Sequence, residues 1–385
     1  MSNSKNTILF ISNESKLLGA TNVLLHIIDY LHATQKYNIL VSCPPTEGHF
    51  KEILQQKNIT TFTPNCLRDY YFHISKPAFL PIRILRRIID NLKLLFFFYQ
   101  FLSKNKSTIV YANTSAVRYI ALPALLSRTR LLWHVHEYST KPLKQKFHSL
   151  LIKLCSDKII VHSPFLISKM GISERGQKKV IFFRYFTILE RKEYPETEFN
   201  RLSYDLIFAG KIGFEKGVLD LLSAVKNVVE IKPDLKVALA GVFVDKDKDL
   251  VLSFVEKHRL ENHITFCGFV PDLNRAILDS KVVVLPTYRD YMPILVMEAL
   301  LLEKPVICTD VGDIRSIVTH NKNGIIISPG NVQQLTDAIL QILDEEAYQR
   351  FVLGARAQKA ELLSDANDYE KIEQAIDNLF HKRKA

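Results

Sequence analysis

Residues 286–300 read Pro286-Thr-Tyr-Arg-Asp290-Tyr-Met-Pro293-Ile-Leu-Val-Met-Glu298-Ala-Leu. They follow the apolar run Val282–Leu285, which has the length of a buried strand. Proline is well tolerated at the first position of a helix, so the apolar run after Pro293 reads as a helix that opens there. Strand, loop and helix in this order form the repeating unit of a parallel α/β sheet. The amides at a helix start are unpaired and the dipole there is positive, so such a turn can hold a diphosphate. Asp290 stands just before that start, and Glu298 lies more than one turn inside it. Carboxylates eight positions apart can take hydroxyls on either side of a diphosphate; the same spacing also suits a capping Asp and a solvated Glu.

The alternation continues outward from this stretch. A charged, apolar-poor linker candidate spans 190–203. After it come strands at 204–209, 236–240, 264–267, 282–286 and 306–309, separated by helices at 218–229, 250–258, 273–280 and 294–302. Before it lie short strands at 7–11, 37–43, 107–111, 130–134 and 158–162, with a helix at 22–31. A length of 385 residues suits two domains, each able to bury a full core. The expectation is an α/β protein with Rossmann-like parallel-sheet domains over 1–195 and 196–365, and a closing helix in 366–385 that can cross back to the first.

The two halves differ in charge. Residues 1–195 hold 28 Lys and Arg against 11 Asp and Glu, a net of +17; residues 196–385 hold 23 against 29, a net of −6. The basic half suits an anionic partner: a phospholipid surface, nucleic acid or a phosphorylated acceptor. No recognised nucleic-acid-binding motif accompanies it, so no nucleic-acid partner is expected. Within it, Phe79–Leu102 (FLPIRILRRIIDNLKLLFFFYQFL) carries five charges in its first fifteen residues, too many for a membrane span. It reads either as a buried amphipathic helix or as an interfacial helix that makes peripheral contact with anionic lipid. The five cysteines sit in or beside apolar runs with no CxxC pair, which reads as buried free thiols in a reducing compartment. The first six residues are polar and the first apolar run is only strand-length, so no secretory signal is read. The expected location is the cytoplasm, peripheral at the inner face of the plasma membrane.

Other segments carry residues that bear chemistry. Phe208-Ala-Gly210-Lys211-Ile-Gly-Phe-Glu-Lys216-Gly217 lies between a strand and a helix and has neither of the two glycine-rich phosphate-loop spacings. Its glycines permit a tight turn, and Lys211 and Lys216 are either two point charges aimed at a ligand or surface lysines. Trp133-His134-Val-His136-Glu137 closes a strand, and alternate residues share a face, so His134 and His136 point the same way. No further ligand cluster accompanies them, so no metal site is read. Leu18-Gly19-Ala20 follows the first strand, and Phe266-Cys-Gly268-Phe-Val-Pro271 runs out of the end of the strand at 264–267. Asp245-Lys-Asp247-Lys-Asp249 reads as a solvated loop, its lysines cancelling much of the acidic charge.

These motifs resemble GT-B glycosyltransferases, especially family 4 (glycosyl transferases group 1). The stretch 290–298 is similar to their E-x7-E signature. Lys304-Pro-Val-Ile-Cys-Thr-Asp-Val-Gly312 and Asn323-Gly324-Ile-Ile-Ile-Ser-Pro-Gly330 are similar to the segments that follow it. The resemblance covers the second half well and the first half weakly. It implies two Rossmann-like domains facing across a cleft, the first on the acceptor side and the second binding a nucleotide sugar. It also implies a retaining, metal-independent and cofactor-free transfer. The sugar would pass from a nucleoside-diphosphate sugar to a glycan or lipid-linked acceptor, in bacterial surface polysaccharide, lipopolysaccharide or capsule synthesis.

The resemblance also assigns roles. Asp290 would contact the donor sugar and Glu298 the ribose. Lys211, Lys216, Gly210 and the helix start at Met292, Pro293, Ile294 and Leu295 would hold the diphosphate. His136 would stand beside the donor sugar, Gly19 in a loop that nears donor or acceptor, and Phe269 against the base. The chain departs from the family pattern with Lys211 for arginine, Asp290 for glutamate, Glu303 and Asp313 for glycines, and Arg315 for an acid. These departures keep two alternatives open. A non-catalytic nucleotide-sugar-binding or scaffold subunit would bind donor without transfer. A GT-B-type sugar-nucleotide epimerase would form product without an acceptor.

Overall fold

The structure, a computed structural model, describes residues 6–16, 19–46, 48–67, 80–137, 142–183, 203–290, 294–364 and 368–381. The chain divides into two units, Met1–Ile188 with Asn367–Ala385, and Leu189–Ala366.

The first unit holds a parallel sheet of β1 (Thr7–Ile11), β2 (Asn38–Ser42), β3 (Thr60–Phe62), β4 (Thr108–Asn113), β5 (Arg130–Val135), β6 (Lys158–Val161) and β7 (Val180–Phe182). The spatial order is β3-β2-β1-β4-β5-β6-β7. Every residue of β4 is buried, as expected of a parallel strand with helices over both faces. The order reverses between β1 and β4, whose ends lie side by side with Ile11 opposite Ala112. Open α/β sheets take their ligands at such a reversal, outside the carboxyl ends of the strands.

The second unit repeats the plan with β8 (Tyr204–Ala209), β9 (Val237–Ala240), β10 (Ile264–Gly268), β11 (Ser280–Leu285), β12 (Val306–Thr309) and β13 (Gly324–Ile327). The order is β10-β9-β8-β11-β12-β13, again all parallel, with the reversal between β8 and β11. Two Rossmann-like parallel sheets are the fold that the strand–helix alternation implies. The edge strands β3 and β7, three residues each, are too short to show a period in the sequence. The linker expected at 190–203 lies, apart from Ser203, outside the described residues.

Two expectations need correction. Asp245–Asp249 is not a loop: it forms the first turn of the helix Asp245–Lys257, where its acids favour the positive end of the dipole. The cysteines are all free thiols, but only Cys43 and Cys308 are buried and the other three are half-buried. The segment at 79–102 is largely the helix Leu80–Lys104, and one of its faces, Leu94, Phe98 and Leu102, is wholly buried.

Helix Asp368–His381 belongs to the first unit. Tyr37 donates to Asp377 at 2.6 Å and Tyr30 to Glu373 at 2.9 Å, while Lys36 pairs with Glu373 at 2.6 Å. Burial and the bond to Glu373 push the Tyr30 hydroxyl up to about 12, so it stays a donor. Ile376 is fully buried in this helix. Ile376→Ala should lower stability by roughly 2–5 kcal/mol in urea unfolding; a loss below about 0.5 kcal/mol, the surface-substitution range, would contradict the docking.

Candidate active site

In the second unit, the loops leaving β8 and β11 meet at the reversal. Lys216 Nζ donates to Asp290 Oδ2 at 2.7 Å across a separation of 74 residues. Both side chains are partly buried, 30% and 20% exposed, so their charges are screened less than those of a surface pair. The Glu215 carbonyl accepts from Tyr288 N at 3.0 Å and from Thr287 Oγ1 at 3.1 Å. Phe214 and Tyr288 stack beside the pair, with centroids 5.1 Å apart and planes 13° from parallel. Gly217 has φ +70°, and a Cβ there would lie 1.9 Å from the Pro286 carbonyl oxygen. The loops can approach this closely only with glycine at that position.

The neighbouring strand ends also lack side chains. Gly241, with φ +144°, donates to the Gly268 carbonyl at 2.6 Å, and a Cβ on it would meet the Gly210 oxygen at 1.7 Å. Gly210, Gly241 and Gly268 thus close β8, β9 and β10, and Lys211 is exposed beside them. Asp247 Oδ2 accepts from Phe214 N at 3.0 Å and so fixes the turn that carries Lys216.

Past Asp290 the described helix runs Ile294–Leu301. Ile294 is half-buried and Leu295 buried, so Leu295 can offer a ligand little beyond its backbone. Met292 and Pro293 lie outside the described residues. Glu298 is half-buried, and burial pushes its carboxyl up to about 7. Phe269, 75% exposed, projects from the loop after β10.

The first unit has its own polar cluster at the reversal between β1 and β4. Asn113 Nδ2 donates to the Ala20 carbonyl at 3.3 Å, next to Gly19 at the start of the helix Gly19–Ala33. That contact orients the amide so that Oδ1 accepts from His136 Nε2 at 2.8 Å. The rings of His134 and His136 lie 4.0 Å apart, on one face as the strand alternation requires. Burial, reinforced by the neighbouring histidines, holds both imidazoles well below their ordinary range; burial alone takes His162 down to about 3. The imidazoles are therefore neutral at physiological pH. Glu137 Oε1 accepts from Ser115 N at 3.1 Å and Ser115 Oγ at 2.9 Å.

Thr114 is the strained member of this cluster. It holds φ +73°, an outlier for a β-branched residue that typically costs on the order of 1–3 kcal/mol. Its oxygens and nitrogen are tied to Asn13 Oδ1 at 3.0 Å, Trp133 Nε1 at 2.8 Å and the His134 carbonyl at 2.9 Å. Asn13, Asn113, Thr114 and Ser115 are residues that sequence reasoning missed, and Asp247 is one that it misread as part of a solvated loop. The only signal available for Asn113, Thr114 and Ser115 was the polar run that closes the buried strand β4, and for Asn13 its place just after β1.

The departures from the family pattern find physical accounts. Glu303 holds φ +60°, the left-handed conformation that a glycine adopts freely. Its carboxylate pairs with Arg356 at 2.9 Å and Lys359 at 2.8 Å, offsetting part of the strain. Asp313 has φ −110°, which any residue can adopt. Arg315 forms a two-point pair with Asp310 at 2.9 and 2.7 Å.

Residues 190–360 match the family described as glycosyl transferases group 1. A glycogen synthase of Mycobacterium tuberculosis is 24% identical over 163 residues, 42% of this chain and 38% of its own length. The UDP-Gal:alpha-D-GlcNAc-diphosphoundecaprenol alpha-1,3-galactosyltransferase of Escherichia coli is 22% identical over 306 residues, 73% of this chain and 78% of its own. The chain spans 38% of the length of the first curated relatives it matches. Among solved structures, HepE of Anabaena in complex with UDP-glucose superposes with a TM-score of 0.75 at 18% identity, covering 97% of this chain and 99% of that one. At that identity the likeness shows the fold, GT-B.

The close approach of the two loops makes a direct test available. Gly217→Ala should cost roughly 1–3 kcal/mol in urea unfolding. A change within about 0.5 kcal/mol would mean that the loops do not meet at Pro286.

Proposed function

We infer that this chain, residues 190–360 of which belong to the glycosyl transferases group 1 family, moves a sugar from a nucleoside-diphosphate sugar to a hydroxyl acceptor with retention of anomeric configuration. The observation that carries this reading is the Lys216–Asp290 pair at the reversal of the second sheet. During transfer, positive character grows on the sugar and negative charge on the departing diphosphate. An ammonium held beside that crevice, with Lys211 and the amides at the helix start near Ile294, meets the charge where it develops and needs no metal to do so. Asp290 both orients Lys216 and stands where a sugar hydroxyl would bind.

Glu298 supplies a carboxyl for the ribose hydroxyls, and exposed Phe269 supplies a face for the base. His136, kept neutral by burial, offers a sugar hydroxyl an uncharged hydrogen-bond partner. Asp290 is engaged by Lys216 and is a poor nucleophile, so attack on the same face, within an ion-pair-like state, is the favoured route to retention. The acceptor is a glycan or a lipid-linked glycan, in bacterial surface polysaccharide synthesis. The name of the Escherichia coli relative supports this, since it specifies a diphosphoundecaprenol-linked sugar as acceptor. The five free thiols support a reducing compartment, the cytoplasm.

Transfer is tested with the full chain, a panel of nucleoside-diphosphate sugars and a lipid-linked glycan. Lys216→Ala should lower kcat by about 10²–10³; a fall of less than about threefold would contradict the assigned role, and donor binding with no transfer to any acceptor would favour a scaffold subunit. Glu298 adds a pH signature. Its folded value, about 7, exceeds the ordinary 4.5, so the unfolded chain ionises first. Its contribution to stability therefore falls as pH rises from 4.5 through about 7 and levels off above. Glu298→Gln should remove that slope from urea unfolding. It should also abolish the gain in donor affinity that wild type shows as the carboxylate forms near pH 7; an identical pH profile in the variant would overturn the ribose role.

A further inference from the structure

Two helices of the first unit carry apolar stripes on opposite sides. In Leu80–Lys104, Leu94, Phe98 and Leu102 enter the core. At 3.6 residues per turn, Leu92, Phe96 and Tyr99 point away from it, and Phe96 is 60% exposed. Helix Pro142–Cys155 repeats the arrangement. His148, Ser149 and Ile152 are buried, whereas Leu143, Phe147, Leu150 and Leu154 form the outer stripe, with Leu143 83% and Leu154 68% exposed. The short helix Ala121–Leu126 packs against both and adds exposed Leu122, Leu125 and Leu126. An amphipathic helix needs one apolar stripe to join a core. The second stripe on each helix has no folding role, and adjoining apolar faces of this kind mark an interaction surface.

The charges around this surface identify the partner. Arg86 and Lys93 flank the first outer stripe, and exposed Lys144 and Lys146 flank the second, while half-exposed Lys153 beside it donates to the Gly171 carbonyl at 3.2 Å. Asp90 is the only acid in the three helices, and it is buried. Apolar stripes whose bordering charges are all cations are complementary to an anionic bilayer surface; two copies of such a face would set like charges against each other. No described helix is long and apolar enough to cross a membrane, so the contact is made lengthwise. We propose that the three helices Leu80–Lys104, Ala121–Leu126 and Pro142–Cys155 form one surface that docks on anionic phospholipid. The leucines and phenylalanines seat at the acyl boundary and the lysines reach headgroup phosphates. This surface extends well beyond the single segment at 79–102 and stands independently of the transfer chemistry.

The full chain is sedimented with vesicles of phosphatidylglycerol and phosphatidylcholine, and with vesicles of phosphatidylcholine alone. Binding to the anionic vesicles that weakens with salt is expected. A triple variant, Phe147→Gln with Leu150→Gln and Leu154→Gln, should bind at least about tenfold more weakly. Lys144→Gln with Lys146→Gln should remove much of the salt dependence. Ile231→Gln, an exposed apolar site in the second unit, should change nothing. Unchanged circular dichroism checks that each variant folds. Hydrogen exchange on the wild-type chain, which needs no variant, should show vesicles protecting side-chain-bearing helix 142–155 at its amides. Absence of binding to anionic vesicles, binding that the apolar triple variant leaves intact, or a wild-type dimer formed through this face in place of vesicle binding would each overturn the proposal.

Discussion

An ammonium and a carboxylate 2.7 Å apart, on Lys216 and Asp290, join the two loops that leave the second sheet where its strand order reverses. Much of the local structure depends on that closure. The loop after β8 leads into the helix Val218–Val229, and the loop after β11 leads toward the helix Ile294–Leu301. Joining the loops therefore fixes the starts of both helices relative to one sheet edge. Parallel topology makes the crevice, and Gly217 makes the approach sterically possible. The ion pair, worth about 1 kcal/mol at partial exposure, matters less for stability than for where it holds a positive charge.

The first unit reaches a similar result with neutral chemistry. Its reversal carries Asn113 and Thr114, with His136 and Glu137 after the adjacent β5, where the second carries Lys216 and Asp290. Burial keeps the imidazoles uncharged, and the strain at Thr114 persists because three hydrogen bonds hold it. Strain held in this way at a sheet's ligand crevice marks a place where geometry is retained at the expense of local energy. One unit thus presents cation and carboxylate, and the other presents neutral donors and acceptors.

Much of the fold was legible because a parallel strand buried on both faces leaves a short, continuous apolar run, as in Leu206–Phe208 and Val282–Leu285. Strands β3 and β7 were not legible, since three residues at an edge carry too little pattern. The residue types at the candidate site could be read, but not their partners. Nothing local links Lys216 to Asp290 across 74 positions, or Asp247 to the amide of Phe214 across 33. Asp247 was misread because interleaved lysines mask a helix's first turn. Glu303 shows the opposite case: a departure from a family glycine fits once its φ of +60° and its two cation partners are known. The outer stripe of 142–155 has helical spacing too, but without burial it cannot be told from a core stripe.

The central claim is that Asp290 holds Lys216 ready for a diphosphate. Calorimetric titration of inorganic pyrophosphate into wild type and Asp290→Asn tests it by sign. If the carboxylate acts as an anchor, its removal should weaken pyrophosphate binding even though a negative charge has been lost from the site. Tighter binding in Asp290→Asn, as simple relief of repulsion would give, would contradict the account.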